Sequence, residues 1–361
     1  MRLPKPNNII TEKYVVGMSV FKNRLAKIKL SANESALGPS PKAKKEYIKV
    51  SKSFARYPDT NGTFLRETLS KKFKLDKNRI VLGSGSDQIF ELICKAYLKK
   101  GDEVIVPKYS FIIYRIYSKM NGAKVIYSNE NNFTVSVKDI LKKVTTKTKV
   151  VFLANPNNPT GTYVTKKDLL FLRKKLRSNI LLVVDDAYFE YVKQKNYSSA
   201  LKLFSNFKNV VMTRTFSKIY GLAGLRVGWG YGSKQIVDAL NVIKPPFNVN
   251  GIAQLAATES LKDKAFINKS IRHNLLYSEK IKKFLETYNI FSNSVSANFL
   301  LLNFEKCRYS AKFLYEKLKN KGIILRSTED GYHIKNKLRL TIGSKKENLK
   351  FMSVIKQVLK K

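Results

Sequence analysis

The sequence predicts an α/β chain, with a large domain built on a mainly parallel central sheet and a smaller α+β domain after it. Three observations predict this. Short apolar or β-branched runs at residues 79–82, 103–106, 124–127, 149–154, 180–185 and 210–213 alternate with helical patterns. Several of these runs are continuously apolar, as parallel strands covered on both faces are. Pro245-Pro246 then interrupts the chain where the alternation stops.

After the first run, Ile89, Leu92, Ile93, Ala96 and Tyr97 recur at the spacing of one helix face. Thr165 and Asp168 stand at capping-box spacing and open another helix. Strand and helix alternating in this way argue for a doubly wound sheet. Beyond the prolines, a long helix starts near residue 251. Strands near 298–304 and 338–342 follow among further helices.

Composition narrows the function. A chain of 361 residues buries roughly 75% of its unfolded surface, and 43% apolar content with 19 Tyr and 21 Phe is that of a globular protein. No apolar run is longer than that of residues 180–184, which is far too short to cross a bilayer. Pro4, Pro6, Asn7 and Asn8 interrupt any signal segment at the start. Cys94 and Cys307 are the only cysteines, which points to a reducing compartment. The expectation is a cytoplasmic protein with no membrane partner. His273 and His333, the only histidines, sit in no metal-spaced cluster, so no metal is expected. Reactivity must come from elsewhere, and a bound organic cofactor is the natural source.

The formal net charge is +43. Basic surfaces bind phosphate backbones by counterion release. Here, however, the lysines are spread along the whole chain, and no helix-turn-helix or RNA-binding motif is present. The charge is read as a solvated surface from a biased composition, with no nucleic-acid partner, although a positive field helps attract a phosphorylated substrate.

Chemistry gathers just after successive strands. Gly83-Ser84-Gly85-Ser86-Asp87 feeds a helix N-terminus, where free N–H groups meet an anion. Alone, such a loop turns the chain as readily as it binds anything, and Gln88 replaces the third glycine of a dinucleotide fingerprint. Asn155-Pro156-Asn157-Asn158-Pro159-Thr160-Gly161 reads as a proline-rich turn, but it lies at the carboxyl end of a strand, where open α/β sheets build ligand sites. Asp185-Asp186-Ala187-Tyr188 ends the next strand, and its carboxylate is either a helix cap or the partner of a buried cation. Thr215-Phe216-Ser217-Lys218 follows the strand after that, with Arg226 further on. Among so many lysines, Lys218 is singled out by its company. Pyridoxal phosphate needs this set of groups: a lysine for its aldehyde, a carboxylate for its ring nitrogen, donors for its ring oxygen, and a helix N-terminus with an arginine for its phosphate.

The sequence resembles the class I/II aminotransferase superfamily, and within it the histidinol-phosphate branch. The likeness runs from Leu30-Ser31-Ala32-Asn33-Glu34 to Leu338-Arg339-Leu340-Thr341-Ile342-Gly343. It is most specific in Arg56-Tyr57-Pro58-Asp59, Asn157-Asn158-Pro159-Thr160-Gly161, residues 213–226, and Lys244-Pro245-Pro246-Phe247-Asn248-Val249-Asn250. The resemblance implies that Lys218 holds pyridoxal 5′-phosphate as a Schiff base and then acts as general base. It implies that Asp185 pairs with the ring nitrogen, that Tyr188 and Asn158 bind the ring oxygen, and that Tyr109 stacks on the ring. Ser86, Asp87, Ser217 and Arg226 would surround the cofactor phosphate. Tyr57 would reach the neighbouring subunit's phosphate, which makes the active unit a homodimer. Arg326 and Arg339 would grip anionic groups of substrate, with Tyr14 lining the same pocket. The implied reaction moves an amino group reversibly between histidinol phosphate and 2-oxoglutarate, with glutamate as the other amino carrier.

With the break at the prolines, the resemblance divides the chain into an N-terminal arm over residues 1–40 that packs with the small domain, a cofactor-binding large domain over 41–248, and a small domain over 249–361. Departures from the family pattern are Ser35-Ala36 for Asn-Pro, Gln88 for Glu, and Val15-Val16 before Gly17. Two rivals stand beside this reading. One is a broader aromatic aminotransferase or a phospho-amino-acid decarboxylase, because arginines that accept phosphate also accept carboxylate. The other is a basic regulatory or nucleic-acid-binding protein on the same scaffold.

Overall fold

The computed structural model describes residues 12, 14, 20–21, 24–50 and 55–359. Its large sheet holds seven strands: β1 (Ile80–Gly83), β2 (Glu103–Pro107), β3 (Lys124–Ser128), β4 (Thr148–Ala154), β5 (Leu181–Asp185), β6 (Val210–Thr215) and β7 (Gly228–Tyr231). Their spatial order is β1-β7-β6-β5-β4-β2-β3. All run parallel except β7, which is antiparallel to both its neighbours. Six of the seven coincide with the runs read from the sequence.

β7 was not foreseen, and the reason is physical. Its sequence, Gly-Trp-Gly-Tyr, carries glycines where a strand pattern wants branched residues. A Cβ on Gly228 would strike the backbone of Gly85 and Ser86, and one on Gly230 would crowd Val81 and Ile89. The close approach that hides the strand from pattern reading lets it lie against the glycine loop.

Nine helices matter for the site and the cores: α1 (Pro41–Val50), α2 (Thr63–Phe73), α3 (Gly85–Tyr97), α4 (Ile113–Met120), α5 (Lys166–Lys175), α6 (Gly251–Lys262), α7 (Lys264–Glu286), α8 (Ala311–Asn320) and α9 (Lys345–Val358). Helices cover both faces of the sheet, so alternate residues of each strand enter different cores. On β5, Leu182 and Val184 join Leu65, Leu169 and Ala253, whereas Leu181 and Val183 join Ile89, Phe90 and Tyr114. At the start of α5, the Thr165 Oγ1 accepts from the Asp168 N–H and donates to the Asp168 carboxylate. The expected capping box is thus a hydroxyl–carboxylate pair, and the reciprocal box occurs at Ser344 and Glu347, opening α9.

The second sheet is antiparallel, with β8 (Phe291–Ser292), β9 (Phe299–Asn303), β10 (Arg326–Ser327) and β11 (Lys337–Thr341) in the order β8-β9-β11-β10. Its core gathers Leu300, Leu302, Leu314, Leu340 and Phe351. Residues 28–29 pair in parallel with Ile323–Ile324, and Leu30 enters this second core. The single long helix read from residue 251 is two, broken at Asp263, whose side chain accepts from the Phe266 N–H and caps α7. α6 packs with the first core through Ala253, Ala256, Ala257 and Leu261. The change of core falls within α7, where Ile267 and Ile271 face the first core and Tyr277, Ile281 and Leu285 the second. Among the described residues, no helix is long and apolar enough to cross a membrane.

Gly228→Ala is expected to lower the thermal unfolding midpoint, with an overpacking cost of about 1–3 kcal/mol. Gly251→Ala, whose new methyl makes ordinary contact with Pro58, should stay within about 0.5 kcal/mol of the parent. Differential scanning calorimetry of both variants checks this.

Candidate active site

A cavity of about 240 Å³ opens at the carboxyl ends of the parallel strands, between the large sheet and the arginines of β10 and β11. Its wall includes Ser86, Asp87, Asn158, Asp185, Tyr188 and Ser217, and also Lys218, Arg226, Arg326, Arg339 and Tyr14. Groups far apart in the sequence therefore face one space, as open α/β sheets dictate.

Lys218 sits in the turn after β6. The turn is pinned by Phe216 N–H to the Val227 carbonyl and Leu222 N–H to the Phe216 carbonyl, both at 3.0 Å. Its Nζ reaches the Ala32 carbonyl at 3.4 Å and lies 5.8 Å from the centre of the Tyr188 ring. The residue is half-exposed because its chain projects into the cavity. Withdrawal from bulk water, with the guanidiniums of Arg339 and Arg226 nearby, brings the amine down to about 8 against the opposing pull of Asp87 and Asp185. A lysine so placed is partly neutral near neutral pH and competent as a nucleophile or base.

Strand alternation separates Asp185, which ends β5, from Asp186 just after it. Asp186 points away from the cavity to the buried Arg214, Oδ2 to Nη2 3.8 Å. Asp185 lines the cavity. Its carboxylate accepts from Tyr114 Oη at 2.7 Å, the Ala187 N–H at 3.2 Å and Thr213 Oγ1 at 3.3 Å. Burial nevertheless raises it to about 6, opposed by the Tyr114 hydrogen bond and helped by the charge of Asp87. All its partners are neutral, so a cation placed before it would hold it ionised.

Tyr188 is buried, and its hydroxyl accepts from Asn33 Nδ2 at 2.9 Å. Asn33 occupies the left-handed region at φ 56°, which Asn tolerates better than most residues. Its N–H bonds Thr341 Oγ1 at 2.9 Å, so this residue joins β11 to the large domain across the cavity floor. Asn158 accepts from Arg339 Nη1, and Asn157 braces the loop by donating to the Tyr109 carbonyl at 2.8 Å and accepting from Ser110 Oγ at 3.0 Å.

At the start of α3, Arg226 donates from Nη1 to Ser217 Oγ at 3.2 Å and from Nη2 to Asp87 Oδ2 at 3.2 Å. A Cβ on Gly85, at φ 76°, would displace the Arg226 guanidinium that lies over it. An arginine, two serines and the N–H groups of a helix start converge there, which is a set of donors for an anion such as phosphate.

Arg326 and Arg339 are direct cross-strand partners on β10 and β11, and both are buried. Opposed residues of an antiparallel pair project from the same face, and like charges there repel. Among the described residues Arg339 has no carboxylate within ion-pair distance; it donates to Asn158 and to the Ser31 carbonyl, and its Nε is buried without a partner. Two guanidiniums held together out of water are suited to an anionic ligand.

Two of the sequence candidates lie off the cavity wall. Tyr57 is 82% exposed and stacks on Phe247 at 4.5 Å, beside a separate hollow. Tyr109 sits half-buried against Phe133, its N–H bound by Glu130, and Phe111 lines the cavity instead. Sequence reasoning also passed over Asn33, Tyr114 and Tyr332. Tyr114 lay hidden in an apolar helix pattern, where an aromatic reads as core, and it is core as well. Of the departures, Gln88 accepts from the Ser84 N–H at 2.8 Å and from Asn248 Nδ2 at 2.6 Å, bracing the glycine loop. Ser35 Oγ donates to the Gly38 carbonyl at 3.3 Å. Residues 15–17 lie outside the described residues.

The groups present fit pyridoxal phosphate. A depressed lysine, an acid held up for want of a cation, and an anion cradle at a helix start share one cavity.

Comparison with known proteins agrees. The family model for aminotransferase class I and II matches residues 26–355. The chain is 58% identical over 358 residues to a histidinol-phosphate aminotransferase of Pelagibacter ubique, covering 99% of each. It is 42% identical to one of Rhodospirillum rubrum, covering 94% of this chain and 92% of that one. Among solved structures, the histidinol-phosphate aminotransferase of Clostridium acetobutylicum superposes with a TM-score of 0.83 at 25% identity, over 92% of this chain and 98% of that one. That of Sinorhizobium meliloti, in complex with pyridoxal-5′-phosphate, superposes with a TM-score of 0.86 at 20% identity, over 92% of this chain and 91% of that one, which is a likeness of fold. The chain belongs to the class I and II aminotransferases, a family of pyridoxal-phosphate-dependent transferases.

Proposed function

We propose that this aminotransferase transfers an amino group reversibly between L-histidinol phosphate and 2-oxoglutarate. The observation that carries this reading is the buried, cross-strand pair Arg326 and Arg339 at the cavity mouth. Two opposed guanidiniums suit a substrate with a phosphate in one half-reaction and a substrate with two carboxylates in the other. The 58% identity to a relative of that activity supports it.

In this reading Lys218 would hold the cofactor, and its Nζ as a free amine would take the proton from the donor's Cα in one half-reaction and give a proton to the acceptor's Cα in the other. The bound cofactor supplies an electron sink for the bond pair left at that carbon. Asp185 would pair with the ring nitrogen and keep it protonated, while Tyr114 and Thr213 favour the ionised form of Asp185 through hydrogen bonds. Tyr188 and Asn158 would bind the ring oxygen. Ser86, Ser217 and Arg226 would hold the phosphate together with the N–H of Asp87, and Tyr109 would supply an aromatic face to the ring. Arg339 takes the carboxylate of glutamate, and Arg326 the second anionic group, with Tyr14 closing the mouth.

Tyr57, too exposed to serve its own cavity, reaches the phosphate of a second copy in a homodimer. The organisation goes with this reading: an arm over residues 1–40, a cofactor domain and a small domain, in a cytoplasmic enzyme.

A purified sample should show the visible band of lysine-bound cofactor, and low histidinol phosphate should bleach it while phenylalanine does so much more weakly. Bleaching by both equally would mean a broad aromatic enzyme. Lys218→Ala should bind cofactor without the covalent band and lose transamination; near-normal turnover in that variant would refute the assignment.

Arg339→Gln should weaken 2-oxoglutarate binding about 100-fold, or about 2.7 kcal/mol, measured as KM. An unchanged KM would remove Arg339 from the substrate site.

Asp185 stands above its ordinary value, near 6, so it is ionised only above that pH. Its ionised form is the one that pairs with a ring cation, so cofactor affinity should fall between pH 7 and pH 5. Tyr114 donates to that carboxylate and lowers its pKa. Tyr114→Phe should therefore raise the midpoint by about one pH unit, read by calorimetric titration of the apoprotein. An unmoved midpoint would separate Asp185 from the ring nitrogen.

A further inference from the structure

Beside the cavity mouth, Arg115 of α4 makes a three-way junction. Its side chain is only 4% exposed. Nε and Nη2 donate to the two carboxylate oxygens of Glu12, at 2.5 and 2.6 Å, and Nη2 also donates to the Gly331 carbonyl at 2.6 Å. Lys119, one turn further along α4, adds a second cation 3.5 Å from Glu12. The three partners come from three places in the chain: the N-terminal segment, a helix of the large domain, and the turn between β10 and β11 of the small sheet.

Each arm of the junction leads to a residue on the cavity wall. Two residues after Glu12 is Tyr14, whose ring stands edge-on to Phe111 at 6.3 Å. Next to Gly331 is Tyr332, which is buried and lies 5.7 Å below the guanidinium of Arg326. Tyr332 also separates this cavity from a second hollow of about 530 Å³, whose wall carries Glu12, Arg115 and Lys119. Gly331 is fixed in the left-handed region at φ 83°, and a Cβ there would meet Ile112 at 2.7 Å, so the turn seats closely on the start of α4. A carboxylate held by both arms of one guanidinium is a directional contact, and lysine has no equivalent.

We propose that Arg115 is a positioning residue that, through Glu12 and Gly331, sets Tyr14 and Tyr332 against the substrate and thereby governs substrate affinity. It touches no reacting atom. The inference deepens the histidinol-phosphate reading and rests on it for the choice of substrate, but the junction itself is tested without turnover.

The test uses two variants of the full chain. Glu12→Ala removes the carboxylate from a half-exposed position and leaves Arg115 in place. Arg115→Lys keeps the charge but cannot span Glu12 and Gly331 together. Both should raise KM for histidinol phosphate about tenfold with kcat within about twofold, since the lost contact acts on binding. In the apoprotein, peptides containing Tyr14 and Tyr332 should take up deuterium about fivefold faster, while peptides of β4 and β5 stay unchanged. A fall in kcat at constant KM would overturn the proposal, because the residue would then act on the chemistry. Unchanged exchange at both tyrosines would overturn it too. If the parent enzyme fails to use histidinol phosphate, the substrate reading falls, and the exchange experiment still decides whether Arg115 holds the two tyrosines.

Discussion

Charge withdrawn from water without a full partner is the constraint on which this structure turns. Burial disfavours an ion unless an opposite charge or a set of donors compensates it. Asp185 has only neutral donors around it, and burial holds it up near 6. Lys218 is drawn down to about 8 in the same space. Arg339 lies beside Arg326, bonded to an amide oxygen and a backbone carbonyl. Each of these costs stability in the protein alone, and each cost falls when a ligand of the right sign arrives. The cavity is a set of unmet electrostatic demands, ordered in space so that one molecule can meet several at once. The sheet gives that order, since parallel strands deliver their carboxyl ends to one edge and a charged residue there is both supported and exposed.

Much of this was legible from the residues. Runs such as 180–185 and 210–213 announced buried parallel strands because an element covered on both faces has little room for polar side chains. The groups following those strands were then bound to meet. Lys218, Asp185, Asn158, Tyr188, Ser217 and Arg226 share the cavity for that reason. What could not be read was whatever depends on packing between distant segments. Asn33 enters the site because its backbone is bonded to Thr341, a contact spanning 308 positions that no local pattern reports. Tyr114 is an apolar-face residue whose hydroxyl happens to meet Asp185. β7 was missed because glycine, chosen for close approach, erases the strand signal. The passage of α7 from one core to the other is likewise silent in sequence, because the helix continues through it with no break.

The high positive charge takes on a plainer meaning beside the fold. Ion pairs such as Lys95 with Glu91 and Lys234 with Asp238 are local helix contacts on exposed faces, each worth little. Among the described residues the buried cations are few, and all but Lys337 are arginines: Arg115, Arg173, Arg214, Arg326 and Arg339. Guanidinium keeps its charge in burial and offers several donors in a plane, whereas a buried lysine readily gives up its proton. The one enclosed lysine at the centre of the site is the one whose proton must move.

The segment from residue 28 to residue 34 has a consequence for how the protein comes into being. It pairs with Ile323–Ile324, bonds Thr341 through Leu30 and Asn33, and supplies the carbonyl of Ala32 to Lys218. Two of these partners, Ile323–Ile324 and Thr341, are synthesised roughly three hundred residues after it. The first sheet can close before those residues exist, because its strands all lie between residues 80 and 231. The cavity cannot. Contacts so distant in sequence form late and carry the largest loop-closure cost. A chain still being made therefore holds a finished sheet and an unfinished pocket, and no charge need be buried in the site until the last strand arrives to justify it.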